Sequence, residues 1–130
     1  MSGWTREELQ RIGDAQELQL ASRRTDGSLQ PFTTMWVVRV GDDLFVRSAG
    51  GPDRPWYRHA LAGRIGRVRA GGVEADVEFA TAASSTSEDI DSQYHAKYDS
   101  YGPSIVGHVT GPDAALVTVH LIKAQKGDVP

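Results

Sequence analysis

The stretch GRVRAGGVEADVEF, residues 66–79, constrains the fold more than any other part of the chain. Two runs of period-two alternation flank a Gly-Gly pair, the pattern of an antiparallel hairpin closed by a two-residue turn. Such a turn needs positive φ at both central positions, and glycine supplies it without steric cost. The register follows from the loop length. Arg69 faces Glu74 and Arg67 faces Asp76 on one side, and Val68 faces Ala75 on the other. Arg67 and Arg69 are therefore expected to be cross-strand ion-pair partners rather than a basic binding stripe.

Other segments read as strands of the same kind. Residues 17–23 alternate and lead to an Asp26-Gly27 turn. Residues 32–40, FTTMWVVRV, carry apolar side chains on both faces, which predicts a central strand covered on both sides. Gly41-Asp42-Asp43 reverses the chain into residues 44–49, and a three-residue loop would oppose Val38 to Val46 and Val37 to Arg47. Residues 115–121 form the last strand, with a polar tail at 122–130.

Helices interrupt this series. Thr5 and Glu8 make a capping box for a helix over residues 6–12, within an N-terminal lead of about 1–15. Pro55 suits the first position of a helix over 55–62, and Gly63 suits its end. Ile90, Tyr94, Tyr98 and Tyr101 place an aromatic stripe on a longer helix that Gly102-Pro103 terminates. Packing is the expected role for at least two of those three tyrosines. The predicted fold is mainly β with helices (α+β): a six-stranded antiparallel split β-barrel in meander order, as a single domain over 1–130. A short helix follows strand 3 and a longer one precedes the last strand.

Composition narrows the function. At 130 residues and a net charge of −3 the chain lacks the basic excess of a nucleic-acid binder. It has no cysteine, which excludes disulfides, thiolate metal sites and cysteine nucleophiles. Its four histidines show no metal-ligand spacing, so no metal is expected. The charged N-terminus and the absence of a long apolar run predict a soluble cytoplasmic protein with no membrane partner.

Chemistry concentrates in VRSAGGPDRPWYRHAL, residues 46–61. Backbone N–H groups around Gly50-Gly51, beside a helix N-terminus, form a concavity receptive to an anion. Arg47 and Arg54 supply the charge-assisted contacts that suit a phosphate, and Trp56 and Tyr57 can cover a flat ring. His59 is the one histidine in this segment. A turn with solvated arginines and aromatics docked in the core is an equal reading of the stretch alone.

Three stretches, SRRTDGSLQPFTTMWVVRVGDDLFVRSAGGPDRPWYRHAL, RVRAGGVEADVEF and IDSQYHAKYDSYG, closely resemble an uncharacterised bacterial family of small domains, from about Trp4 to Leu121. The order of elements is more distantly similar to the deazaflavin-dependent nitroreductases of the flavin-binding split β-barrel superfamily. The shared features are the turn at Asp26-Gly27, the apolar strand 32–40, the run from Arg47 to Gly51, and Trp56-Tyr57. Arg58-His59 and Gly63-Arg64 stand where those relatives usually carry Asn and Asn-Pro.

The resemblance implies a small-molecule oxidoreductase using FMN or a deazaflavin coenzyme, in which the ring chemistry belongs to the cofactor. Arg47, Ser48, Gly50, Gly51 and Arg54 would hold the phosphate side. Trp36, Trp56 and Tyr57 would wall the ring, and His59 or Tyr98 would donate a proton to a small organic substrate. Split-barrel relatives also imply a homodimer. The alternatives are a cofactor-free small-molecule binder or cyclase-type barrel, and a non-catalytic binding module.

Overall fold

Seven strands, not six, form one antiparallel sheet in the computed structural model, which describes residues 3–124. The strands are β1 (Leu18–Ser22), β2 (Thr33–Met35), β3 (Val38–Val40), β4 (Asp43–Arg47), β5 (Ile65–Ala70), β6 (Val73–Thr81) and β7 (Thr118–Lys123). Their order across the sheet is β2-β1-β5-β6-β7-β4-β3. The α-helices are α1 (Arg6–Asp14), α2 (Pro55–Gly63), α3 (Ser87–Tyr98), α4 (Pro103–Val106) and α5 (Pro112–Ala115), and short 3-10 helices at Ser84–Thr86 and Asp99–Tyr101 flank α3. Among the described residues, no helix is long and apolar enough to cross a membrane.

The extra strand arises because residues 32–40 are not one central strand. The segment breaks at Trp36-Val37, where it changes partner from β1 (Leu18 opposite Met35) to β4 (Val38 opposite Phe45). β2 and β3 are thus the two edges of the sheet, and only Trp36 and Val37 separate them. The sheet must curl until its edges meet. Val37 and Val38 are both buried, but in different cores, which is why the segment looked apolar on both faces.

Two further boundaries differ from expectation. Val40 pairs with Asp43 across a two-residue turn in which Gly41 has φ +61, so the loop is one residue shorter and Val38 faces Phe45 rather than Val46. Residues 112–115 form α5, so the last strand starts at Thr118 and extends through Lys123 into the expected tail. Residues 125–130 of that tail lie outside the described residues. The hairpin forms in the expected register, with φ of +58 at Gly71 and +82 at Gly72. Thr5 and Glu8 make the capping box of α1.

Strand alternation builds two cores. Leu44 and Val46 of β4 face the barrel interior with Leu20, Val68, Val77, Phe79, Val119 and Leu121. Phe45 faces outward and joins Val38, Ile90, Tyr94, Tyr98, Val106 and Val109 under α3 and α4. Gly66 is required in the barrel wall: a β-carbon there would overlap the Ala21 carbonyl and the Phe79 ring.

The break at Trp36-Val37 is bridged from α3. The fully buried Tyr98 hydroxyl meets Val37 N–H at 3.2 Å, the Val37 carbonyl at 3.1 Å and the Gln16 carbonyl at 2.8 Å. Lys97 Nζ also donates to the Val37 carbonyl, at 2.7 Å. The Trp36 indole stacks on the Tyr98 ring, with centroids 4.0 Å apart and planes within 3°. Burial pushes the Tyr98 phenol up to about 12 and holds the Lys97 ammonium down at about 8.

Arg47 is the second tie between sheet and helix. Alternation puts it on the outer face with Phe45, and its side chain is fully enclosed. Nε donates to Thr118 Oγ1 at 2.8 Å, and Nη1 donates to the Val109 carbonyl at 2.8 Å and to the Asp91 carboxylate. Asp91 in turn accepts from Gly111 N–H at 3.3 Å. One guanidinium therefore joins β4, β7, α3 and the segment before α5.

Two stability changes follow from these ties. Tyr98→Phe leaves the buried Val37 N–H without its partner and should cost about 1–3 kcal/mol in chemical denaturation. Tyr101→Phe, at an exposed position on the same stripe, should stay within about 0.5 kcal/mol. Arg47→Ala strands Asp91 and should cost about 3 kcal/mol, the low end for breaking a buried pair because Asp91 is partly exposed. Equal effects of Tyr98→Phe and Tyr101→Phe, or a neutral Arg47→Ala, would contradict these roles.

Candidate functional site

The break in the edge strand opens one wall of a cavity of about 420 Å³. Thr33, Met35 and Trp36 line it from the strand side, and Ala49, Gly50 and Arg54 line it from the loop before α2. Trp56 enters from the first turn of α2. Ile105, His108 and Val109 close it from the far side, and Glu17 stands beside the start of β1.

Several expected residues meet here. Trp36 is held flat by its stack on Tyr98, and its indole helps to line the cavity. Trp56 is half-buried and shares the wall. Arg54 lies across Gly50 so closely that a β-carbon on that glycine would overlap the guanidinium. Arg54 makes no ion pair or side-chain hydrogen bond among the described residues. The first-turn Trp56 and Tyr57 N–H groups of the nine-residue α2 have no intrahelical acceptor, and no side chain caps them. A free guanidinium and an uncapped helix N-terminus thus converge at one end of the cavity.

Other expected residues are engaged elsewhere. Arg47 contributes to the wall, but its guanidinium is bonded to Asp91, Thr118 and the Val109 carbonyl. The Ser48 hydroxyl donates to the Gly51 carbonyl, and Gly51 N–H donates to the Ser48 carbonyl at 3.0 Å, so both residues close the turn on themselves. Gly51 takes φ +87, which favours glycine there. Tyr57 points into the barrel core and donates to the Leu116 carbonyl at 3.3 Å. Tyr98 is committed to Val37 and Gln16. His59 is exposed and borders a smaller, separate cavity.

Glu17, Ile105 and His108 were not singled out from the sequence as site residues. All are exposed, and 88 residues separate Glu17 from Ile105, so no local spacing joins them. The hairpin arginines stay out of the site, as expected. Arg67 pairs with Asp76 at 3.0 Å and Glu74 at 3.2 Å, and Arg69 pairs with Glu74 at 3.3 Å. That Arg67 hydrogen bond holds the Asp76 carboxyl below the usual range. Among the described residues, no group of three or more His, Asp or Glu side chains is placed to hold a metal ion.

The same architecture recurs in solved structures. A putative pyridoxamine 5'-phosphate oxidase from Listeria innocua is 16% identical over 92% of each chain, with a TM-score of 0.63. HutZ, the heme storage protein from Vibrio cholerae, is 14% identical over 92% of this chain and 89% of that one, with a TM-score of 0.61. An F420 reductase is 17% identical over 89% of this chain and 92% of that one, with a TM-score of 0.55. At such identities the likeness shows the fold alone. No curated protein matches the chain significantly. The sequence itself is matched over residues 8–121 by the model of one family, described as uncharacterized protein conserved in bacteria (DUF2255), and the chain belongs to that family.

Proposed function

We propose that the 420 Å³ cavity binds a phosphate-bearing planar coenzyme of the flavin or deazaflavin type, and that the protein is a small-molecule oxidoreductase. The observation that carries this reading is the pairing of two indole walls, Trp36 and Trp56, with an unpaired Arg54 over Gly50 at an uncapped helix N-terminus. The volume lies within the range of roughly 300–1,000 Å³ usual for small-molecule sites. Solved structures of the same architecture include a reductase named for F420 and a putative pyridoxamine 5'-phosphate oxidase, which supports the class of chemistry.

The residues present fit such a group at both of its ends. Arg54, the Gly50 amide and the first-turn N–H groups of α2 form the anion end. Trp36, made rigid by Tyr98, and Trp56 form the ring end. The bound coenzyme supplies hydride transfer. The chain's own part would be to hold the phosphate, to offer the Trp36 and Trp56 indoles to the ring and to exclude water with Met35, Ile105 and Val109. Proton handling falls to His108, the imidazole on the cavity wall, rather than to His59 or the saturated Tyr98 hydroxyl.

Calorimetric titration with FMN, with the deazaflavin coenzyme F420 and with inorganic phosphate tests the reading. Wild type should bind at least one of the two coenzymes. Arg54→Ala should weaken that binding by about 1.5–3 kcal/mol, the range for a hydrogen bond to a charged group, with an unchanged melting temperature. Binding of neither coenzyme by wild type, or an unaffected Arg54→Ala, would sink it.

A further inference from the structure

Behind Trp56 lies a second cavity of about 270 Å³ that the coenzyme reading leaves unused. Ser22, Gln30 and His59 give it a polar edge, and Leu20, Pro31 and Trp56 give it apolar walls. Ser22 is 3% exposed, and its Oγ has no hydrogen-bond partner among the described residues. Buried hydroxyls are nearly always paired, so an orphan lining a cavity points to a group that enters it.

The neighbouring amide is set in one orientation. Gln30 N–H donates to the Ser22 carbonyl at 2.8 Å, which locks the two residues together. Gln30 Oε1 accepts from Arg24 Nη2 at 3.2 Å, so its Nε2 hydrogens are the free end. The polar edge is therefore rich in donors: the Ser22 hydroxyl, the Gln30 amide and the His59 ring. No carboxylate, lysine or arginine lines the cavity. A charged ligand would be desolvated there without an ionic partner, which is unfavourable.

We infer that this cavity binds a small, uncharged, mainly apolar molecule carrying one hydrogen-bond-accepting oxygen, such as a ketone. The oxygen accepts from Ser22 and Gln30, and the hydrocarbon part lies against Leu20, Pro31 and the Trp56 indole. Trp56 and Thr33 line both cavities, so an occupant here also contacts a wall of the larger site.

The inference does not rest on coenzyme binding, and its test uses the coenzyme-free full chain. Nitrogen-15 NMR titrations would compare acetophenone with ethylbenzene, its carbonyl-free match, and with benzoate, a charged one. Acetophenone should give saturable shifts at the Trp56 indole N–H and the Gln30 side-chain amide. Ethylbenzene should bind roughly tenfold more weakly, about the effect of one lost hydrogen bond, and benzoate at least as weakly, because its charge is desolvated without an ionic partner. Ser22→Ala should reduce acetophenone affinity by about the same factor and leave ethylbenzene unchanged. Gln30→Leu gives the same reading should Ser22→Ala fail to fold. The absence of saturable acetophenone shifts, equal binding of the three probes, or unchanged acetophenone affinity in a folded variant would overturn the inference.

Discussion

One phenolic hydroxyl sits at the point on which the barrel depends. A sheet whose two edges come from a single segment can close only if that segment stops pairing with one neighbour and starts pairing with another. At the changeover the Val37 peptide groups leave the ladder, and a buried N–H or C=O without a partner is costly. Tyr98 accepts from the amide and shares its one proton between the Val37 and Gln16 carbonyls, which ties in the approach to β1, while Lys97 donates to the Val37 carbonyl. The stack of Trp36 on the same ring holds the other residue of the break in place. Closure, cavity wall and helix docking thus share one side chain.

The division between the two arginines follows from that closure. β4 is covered on both faces, by the barrel interior and by α3, so every second residue enters a different core. Arg47 falls on the α3 face, where Asp91 neutralises it and Thr118 and the Val109 and Ser87 carbonyls accept from Nε, Nη1 and Nη2. A guanidinium held this way organises the protein. Arg54 sits beyond the strand on an exposed turn, with glycine beneath it and no acceptor among the described residues, and is the cation that the proposed function assigns to the ligand. The same contrast separates Trp56 from Tyr57. One step along α2 turns Tyr57 into the core with Ala60 and leaves Trp56 at the cavity.

What could be read from the sequence was whatever local spacing encodes. The Gly71-Gly72 hairpin and the Thr5-Glu8 cap depend on neighbours within a few residues, and both formed as expected. The break at Trp36-Val37 depends on which distant strands flank the segment, and adjacent apolar residues look alike in a central strand and at a changeover. The 46–61 stretch stood out as a candidate site, and Ala49, Gly50, Arg54 and Trp56 from it line the 420 Å³ cavity. The alternation of β4 sets Arg47 on the same face as Phe45. What covers that face is Asp91, 44 residues further on, and no periodicity announces it. Glu17 and His108 escaped for the same reason: exposed residues from remote segments acquire a shared wall only through the fold.

The central claim is that the cation available to a ligand is Arg54 and not Arg47. The most direct measurement is the set of arginine Nε–Hε NMR signals during titration with FMN and with F420, assigned through Arg54→Lys and the hydrogen bond of Arg47 to Thr118. The Arg54 signal should shift and saturate with the coenzyme that binds, while the Arg47 signal stays where it is in the free protein. A saturating shift of Arg47 with Arg54 unmoved would contradict the account.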